Sequence, residues 1–168
     1  MPSHPHGQST SPMHARSAVI TLSDTRTETS DISGQRIIDL LLADGHHLAF
    51  RQIIPDDPQH LDTLLSRLES RPDIDLILAT GGTGISPRDN TVPVFARHLT
   101  TILPGFGELF RMLSYQQIHS PAMLSRAIGG IANGKLLFAM PGAPDAVELA
   151  MTRLILPEIP HLLHELRK

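Results

Sequence analysis

Short apolar runs alternate with amphipathic segments along most of the chain. A short apolar run predicts a buried strand, and apolar residues spaced three and four positions apart predict a helix. In the first half of the chain the predicted order is strand, helix, strand, helix, strand, over residues 18–23, 30–45, 48–54, 58–68 and 76–80. This alternation is typical of a parallel sheet whose strands are joined by right-handed crossovers.

The second half of the chain adds more helices and one change of strand direction. It predicts helices over residues 91–98 and 105–117, strands over 127–132 and 136–140, and closing helices over 143–156 and 158–167. Asn133-Gly134 between the two strands is the turn sequence of a tight antiparallel hairpin. Pro157 is expected to break the helical path. The sequence therefore predicts a three-layer α/β/α fold, with a mostly parallel sheet and one short antiparallel hairpin.

Composition limits the function classes without naming one. The 168 residues suit one domain with a real core, and 40% apolar with 18% charged residues suits a globular protein. A formal charge of −3 argues against a dedicated nucleic-acid binder, and no apolar run is long enough to span a membrane. Because the chain has no cysteine, disulfides, thiolate metal sites and cysteine nucleophiles are excluded.

The amino-terminal segment differs from the rest of the chain. Residues 1–15 are rich in Ser, Pro and His and offer little apolar surface to bury. We therefore expect a disordered tail there, followed by a single domain over residues 16–168. The segment lacks the basic and then apolar layout of a signal peptide, which favours a cytoplasmic protein.

The glycine loop, residues 80–89 (Thr-Gly-Gly-Thr-Gly-Ile-Ser-Pro-Arg-Asp), directly follows the third predicted strand. Its glycines permit positive φ and leave room beside the backbone, so that its N–H groups can face an anion. Tight packing without a ligand explains the same glycines. The loop matches neither a Walker motif, which needs Gly-Lys-Ser/Thr, nor the dinucleotide-binding fingerprint.

Asp56 and Asp89 are the two carboxylates most suggestive of chemistry. Both follow predicted strands at their carboxyl ends, where open α/β sheets bind ligands. Two carboxylates together with phosphate oxygens suit Mg²⁺, which prefers hard oxygen ligands. Helix capping is the alternative, with Asp56 or its neighbour Asp57 capping the second helix and Asp89 or its neighbour Asn90 capping the third. The residues alone leave both interpretations open.

Several other residues fit ordinary structural roles as well as a site. Helix caps or exposed surface groups are the simpler explanation for Ser114, Ser125 and Arg126. Surface positions are expected for the histidines at 46, 47, 161 and 164. Core positions are expected for Phe106, Phe110, Met123 and Leu124.

Taken in order, these segments make the chain resemble the MoaB/Mog family of molybdenum-cofactor biosynthesis proteins, which includes the amino-terminal domain of gephyrin. The resemblance covers residues 18–166, and the segment 104–114 looks especially like MoaB. The motifs that carry it are Ser23-Asp24, Asp31-x-Ser33-Gly34, Ile54-Pro55-Asp56, Thr80-Gly-Gly-Thr-Gly84, Pro87-Arg88-Asp89, Pro104-Gly105, Leu124-Ser125-Arg126 and Met140-Pro141-Gly142. Each motif alone is common, but the ordered set is specific.

The resemblance implies a MoaB/Mog-like molybdopterin-binding domain and an activity. Active members of the family bind molybdopterin, a phosphorylated pterin dithiolene, and adenylylate its phosphate with Mg-ATP, releasing pyrophosphate before molybdate insertion. By resemblance the chain is a molybdopterin adenylyltransferase, a nucleotidyltransferase with ATP as co-substrate, in which Asp56 and Asp89 are catalytic and hold Mg²⁺. The positions associated with substrate binding are Asp31, Ser33, Gly81, Gly82, Thr83, Gly84, Arg88, Ser114, Ser125, Pro141 and Gly142.

One departure from the family pattern favours an alternative. Ala139 stands where typical Mog members place an asparagine, and some MoaB-type members that lack one or both aspartates are inactive. This chain keeps both aspartates, so the resemblance implies an active enzyme. The alternative is a catalytically silent molybdopterin-binding or scaffold protein of the same pathway. The resemblance also implies a homotrimer or homohexamer and a partner protein for molybdate insertion.

Overall fold

A computed structural model describes residues 13–168 and arranges them around one six-stranded sheet. The strands are β1 (Arg16–Leu22), β2 (His47–Ile54), β3 (Leu76–Thr80), β4 (Thr101–Ile102), β5 (Ile128–Ala132) and β6 (Lys135–Met140). Their order across the sheet is β2-β1-β3-β6-β5-β4. Strands β2, β1, β3 and β6 are parallel, whereas β5 runs antiparallel to both β6 and β4.

Helices cover both faces of this sheet. The α-helices are α1 (Ile32–Ala43), α2 (Pro58–Glu69), α3 (Thr91–His98), α4 (Pro104–Ile118), α5 (Pro144–Ala150) and α6 (Leu156–Leu166). A 3₁₀ turn covers Ser120–Leu124 and a π turn covers Met151–Ile155. Aspartates begin the first two helices, since Asp31 accepts the Gly34 N–H and Asp57 accepts the His60 N–H.

Strand side chains divide between two cores because successive residues point to opposite faces of the sheet. Val19 and Leu78 pack in the core formed with α1, α4, α5 and α6. Their neighbours Ile20 and Ile77 pack in the other core, with α2 and α3. The predicted three-layer α/β/α fold with a mostly parallel sheet is confirmed.

Three neighbouring parallel strands end at the same level. Thr21 of β1 pairs with Thr80 of β3, and Thr80 pairs with Met140 of β6. The loops that follow these strands therefore start side by side at the carboxyl edge of the sheet. Open α/β sheets bind their ligands at this edge.

The antiparallel part of the sheet is larger than the sequence predicts. Asn133 and Gly134 have φ values of 47° and 71°, and positive φ at both positions is what a type I′ hairpin turn requires. The predicted β5–β6 hairpin is therefore confirmed. Strand β4 adds a third antiparallel strand, with Ile102 opposite Gly130. Its two residues are too few to show a period in the sequence.

The helical path does not break at Pro157, contrary to the prediction. Helix α5 continues through the π turn into α6, and the Leu156 N–H donates to the Met151 carbonyl, five residues earlier. Pro157 lies in the first turn of α6 and has no N–H to donate. The wider turn before it accommodates the missing hydrogen bond without ending the helix.

The folded domain begins before residue 16. Ala15 is buried, its N–H donates to His46 Nδ1 (3.1 Å), and its carbonyl accepts the His47 N–H (2.9 Å). His46 is consequently buried, whereas the sequence suggested a surface position. Residues 1–12 of the expected tail lie outside the described residues, so disorder there stays a prediction.

Some large apolar side chains lie on the surface of the protein and not in either core. Phe106 and Phe110 are buried as expected, but Met123 and Leu124 on the 3₁₀ turn are 75% and 48% exposed, so their expected core positions are wrong. The turn lies outside α4 and leaves both side chains on the surface. Within residues 13–168, no helix combines the length and the apolar content that crossing a bilayer requires.

Replacing Gly130 with Ala should destabilise the protein by about 2 kcal/mol, because the new methyl group would overpack the sheet. A β-carbon at Gly130 would lie 2.1 Å from the Thr101 carbonyl oxygen, which is backbone of the neighbouring strand. Urea unfolding measures the change in free energy. Gly105→Ala is the matched control, because nothing lies within 4 Å of its β-carbon position. Equal midpoints for the two variants would contradict this account of β4.

Candidate functional site

The ends of β1, β3 and β6 approach one another closely because of two glycines. Gly81 follows β3 with a φ of 99°, and its N–H donates to the Met140 carbonyl (3.1 Å). A β-carbon at Gly81 would lie 2.4 Å from the Leu22 carbonyl oxygen, so no side chain fits there. A β-carbon at Gly142 would lie 3.3 Å from the Gly81 Cα. The three strand ends therefore form the bottom of one site.

The glycine loop presents N–H groups without partners. Thr91 fixes the start of the loop, since its hydroxyl donates to the Gly81 carbonyl (2.8 Å) and its N–H donates to the Gly82 carbonyl (3.0 Å). Within residues 13–168, the N–H groups of residues 82–85 have no hydrogen-bond partner. A run of free backbone amides of this kind can bind phosphate or another anion.

Asp56 lies beside this loop, and Asp89 is its last residue. A β-carbon at Gly82 would lie 3.2 Å from Asp56 Oδ1, and one at Gly84 would lie 2.7 Å from Asp89 Oδ2. Neither aspartate caps a helix, because the N-caps of α2 and α3 are the residues that follow them, at 57 and 90. The structure therefore brings the two carboxylates to one loop, and the capping alternative does not apply to either.

The Asp56 carboxylate lies in an unfavourable environment. Its Oδ1 atom is buried and has no hydrogen-bond partner among the described residues. Burial raises the pKa of Asp56, and the negative charges of Asp24 and Asp89 raise it further, while Arg88 acts in the opposite direction. A cation at this position would satisfy the orphaned oxygen and offset the repulsion between the carboxylates.

Asp24 links two parts of the site. Its carboxylate accepts the Asp56 N–H (3.1 Å) and forms an ion pair with Arg88. The Arg88 side chain is 70% exposed, so the ion pair is open to solvent and to a ligand. A phosphate bound at the glycine loop would compete with Asp24 for the guanidinium. Arg88 therefore has a carboxylate partner in the free protein, and its role in binding substrate stays a prediction.

Asp31 and Ser33 lie beneath the site rather than on its surface. The Asp31 side chain has no exposed surface, caps α1, and pairs with Arg26 and Arg51. The Ser33 hydroxyl donates to the Gly142 carbonyl (2.7 Å), and Arg26 donates to the same oxygen (3.3 Å). These residues therefore hold the loop after β6, a support that the sequence motifs did not reveal.

The remaining residues of the implied substrate site differ in whether they lie beside the glycine loop. The Pro141 carbonyl accepts the Thr80 hydroxyl (2.9 Å), which places Pro141 beside the start of the loop. Ser125 precedes Arg126, whose guanidinium contacts the loop backbone. Ser114 is buried on α4 and, among the described residues, makes no hydrogen bond to the loop. The geometry therefore brings the neighbour of Ser125 to the loop, and among the described residues it gives no hydrogen bond from Ser125 or Ser114 to the loop.

The donor set fits a magnesium ion that arrives with a nucleotide. Within residues 13–168, no three His, Asp or Glu side chains are grouped closely enough to hold a metal by themselves. Mg²⁺ is usually bound by one or two carboxylates, substrate phosphates and several waters. Asp56 and Asp89 supply two carboxylates, and Asp56 Oδ1 lacks a partner. The phosphates and waters would complete the set.

Ala139 does not line the cleft. It is fully buried in β6, opposite Ala79 of β3 and Ile128 of β5, and packs in the core on the side of α2 and α3. The Ala139 side chain itself therefore contributes nothing to the surface of this site.

Comparison with known proteins agrees with this geometry. The family model described as "Probable molybdopterin binding domain" matches residues 18–161. The chain belongs to the MoaB/Mog family. This MoaB/Mog chain is 46% identical over 158 residues to Molybdenum cofactor biosynthesis protein B of Halalkalibacterium halodurans, a match that covers 94% of this chain and 93% of that protein.

Solved structures of MoaB proteins share the fold. The crystal structure of a Molybdenum cofactor biosynthesis protein B has a TM-score of 0.91 at 45% identity and covers 94% of this chain and 99% of that one. The tungsten cofactor synthesizing protein MoaB from Pyrococcus furiosus has a TM-score of 0.81 at 32% identity, with the same coverage of 94% and 99%. Family membership places this MoaB/Mog protein in molybdenum-cofactor biosynthesis.

Two charged residues of this MoaB/Mog site have contacts that sequence reasoning did not assign. The sequence places Asp24 in a motif but assigns it no role, and it explains Arg126 as a helix cap or an exposed surface group. The structure places both against the glycine loop or its neighbours. Their membership of the ordered motifs was the signal, but spacing alone does not say what a side chain contacts.

Replacing Asp56 with Asn should raise the melting temperature of the free protein near neutral pH. The raised pKa means that the folded protein holds this proton to higher pH than the unfolded chain does, so stability falls as pH rises through the unfolded value of 3.8 toward the folded one. The variant removes that loss. At about pH 3 both states are protonated and the two proteins should melt alike, as thermal melts across pH would show.

Asp57 is the control, because its pKa is shifted in the opposite direction to that of Asp56. Hydrogen bonding by the His60 N–H lowers the pKa of Asp57, so its charge stabilises the fold above the unfolded pKa, and this stability is lost as pH falls through the folded pKa. Asp57→Ala should therefore lower the melting temperature near neutral pH. A destabilised Asp56→Asn variant at neutral pH would show that the environment of Asp56 is described wrongly.

Proposed function

We propose that this MoaB/Mog protein binds molybdopterin and adenylylates its phosphate with Mg-ATP. One observation carries the proposal: the carboxylates of Asp56 and Asp89 lie close to Gly82 and Gly84, in the stretch of the loop where the amides of residues 82–85 are free. Free amides suit phosphate oxygens, and paired carboxylates suit the cation that accompanies a nucleotide. The relatives named for molybdenum-cofactor biosynthesis, and the molybdopterin-binding family model, support molybdopterin as the acceptor.

The reaction is a nucleotidyl transfer in which no carbon bond changes. A phosphate oxygen of molybdopterin attacks the α-phosphorus of ATP and forms a new P–O bond. The bond from the α-phosphorus to its bridging oxygen breaks, and pyrophosphate leaves. Because the attacking phosphate is already ionised, the site needs to position and neutralise charge more than to remove a proton. The adenylylated pterin would then pass to a partner protein for molybdate insertion.

The residues of the site divide this work. Amides of residues 82–85 bind phosphate oxygens, and Arg88 exchanges Asp24 for a phosphate. Asp56 offers its orphaned Oδ1 to the magnesium ion. Asp89 Oδ2 already accepts the Ser86 N–H (2.9 Å), which leaves its other oxygen for the ion. Bound Mg²⁺ supplies positive charge to the phosphates during transfer.

A catalytically silent molybdopterin-binding protein is the second candidate. The hydrogen bond from the Ser86 N–H to Asp89 Oδ2 favours it, because this bond gives the carboxylate a structural role within the loop. The departure at Ala139 no longer does, because that residue is buried in the core. The two candidates differ in whether pyrophosphate is released.

Wild-type protein incubated with molybdopterin, ATP and Mg²⁺ should release pyrophosphate and form adenylylated pterin. Asp89→Asn should keep the fold, because an amide oxygen can still accept the Ser86 N–H, but turnover should fall by about 100-fold or more as a charge at the ion is lost. Pyrophosphate release and molybdopterin binding are measured separately for each protein.

Asp39→Asn is the matched control, since Asp39 lies on α1 and accepts a hydrogen bond only from Gln35 among the described residues. It should turn over like the wild type. Normal turnover by Asp89→Asn would rule out the assignment of Asp89 to the ion. Tight molybdopterin binding by the wild type without pyrophosphate would establish the silent protein instead.

We further propose that the protein is a homotrimer or a pair of trimers, assembled through the apolar face of α4 and the 3₁₀ turn. The exposed side chains on this face are Leu109, Met112, Tyr115, Ile118, Met123 and Leu124. Those on α4 recur every third residue, so each lies next to the following one in a stripe that winds around the helix. Contiguous exposed apolar surface marks an interaction site, and a second copy offers the matching surface.

A charge on this stripe should dissociate the assembly, because a buried unpaired carboxylate is costly at an apolar interface. Met112→Glu should therefore shift the mass measured by light scattering toward that of one chain. Leu42→Glu is the control, because Leu42 is equally exposed on α1, away from the stripe. An unchanged mass for Met112→Glu would show that copies assemble through another surface or not at all.

A further inference from the structure

Arg126 lies behind the glycine loop and is bound to it at three points. Its Nε donates to the Thr83 carbonyl (3.2 Å), and its Nη2 donates to the carbonyls of Gly84 and Asp89, the latter at 3.0 Å. The acceptors belong to the middle and to the last residue of the loop, so one side chain ties these two parts together. Arg126 is half-buried and stands two residues before β5, which anchors it to the sheet.

These hydrogen bonds fix the direction of the loop amides. In a trans peptide the N–H points opposite to the preceding carbonyl, and the described residues contain no cis peptide bond. Because the carbonyls of Thr83 and Gly84 point at Arg126, the N–H groups of Gly84 and Ile85 point away from it. These two amides are among those without a partner in the described residues.

The positive charge of Arg126 is not neutralised by a carboxylate. Within residues 13–168 its hydrogen-bond acceptors are backbone oxygens alone, and it takes part in no ion pair. Arg26, Arg51 and Arg88, by contrast, each pair with an aspartate. A half-buried charge with neutral partners adds its field to that of the loop amides.

We propose that Arg126 is a positioning residue for the proposed nucleotidyl transfer. It turns the loop amides toward the phosphates of the nucleotide, holds the backbone of Asp89, and supplies positive charge from behind the loop. It acts through the loop and touches no substrate. The identity of the ligand rests on the proposed function, whereas the hydrogen bonds from Arg126 to the loop are a property of the free protein.

Lysine cannot take this role. A guanidinium has a planar fork of donors that can meet several carbonyls at once, whereas an ammonium is a single point of charge. Arg126→Lys therefore keeps the charge and loses the geometry. Arg126→Gln loses the charge and keeps a shorter planar donor, so the two variants separate the two contributions.

Amide hydrogen exchange tests the hold on the loop without a ligand. In Arg126→Lys the hydrogen-bonded amides of Ser86, Asp89 and Thr91 should exchange about tenfold faster, because the charge-assisted hydrogen bonds that hold the loop backbone at three carbonyls are lost. Exchange in β1 and β3 should not change. Arg97→Lys is the control, since that exposed guanidinium meets Asp62 and no loop residue. Unchanged exchange in the loop overturns the proposal.

Binding of magnesium pyrophosphate tests the effect on the anion. Arg126→Lys should bind it about tenfold more weakly than the wild type, and Arg126→Gln more weakly still, at a temperature where all three are folded. A purely structural role would lower the melting temperature and leave this affinity unchanged, which would overturn the proposal. Failure of the wild type to bind would overturn the proposed function, while hydrogen exchange would still decide whether Arg126 holds the loop.

Discussion

The backbone at Gly81 has no room for a side chain, and the arrangement of the site follows from that restriction. Its φ of 99° turns the chain away from β3 while its backbone stays close to the last residue of β1 and to the loop after β6. The equal level of the strand ends brings these loops together, and the glycine lets them touch. Charged residues that follow β1, β2 and β3, and Arg126 before β5, therefore share one edge of the sheet, although they are far apart in the sequence.

The charges around Asp56 do not favour the stability of the free protein, as expected if this edge holds the proposed ligands. Asp56 has a buried oxygen without a donor and two carboxylates near it, and both conditions raise its pKa. The surrounding structure maintains this unfavourable arrangement through Gly81, Asp31 and the two hydrophobic cores. Such stored electrostatic cost is common where a site must hold charged substrates, because binding releases it.

Local signals in the sequence were sufficient for most of the fold, and they failed where distant residues decide the outcome. The alternating runs predicted the central strands, and Asn133-Gly134 predicted the hairpin. The sequence also indicated Asp56 and Asp89 as a pair, but only the structure separates them from the caps beside them. Arg126 contacts carbonyls about forty residues earlier, a separation that no local pattern encodes. The π turn before Pro157 likewise depends on packing that spacing does not report.

The shared carboxylate of Asp24 has a thermodynamic consequence. It neutralises Arg88 while it accepts the Asp56 N–H, so in the free protein one aspartate serves both the cationic and the anionic part of the edge. An anion that captures Arg88 leaves Asp24 uncompensated and makes the edge more attractive to a cation. By reciprocity a cation there strengthens binding of the anion by the same factor. In the proposed function the ion pair would therefore make the two ligands cooperative and would favour their arrival together over either one alone.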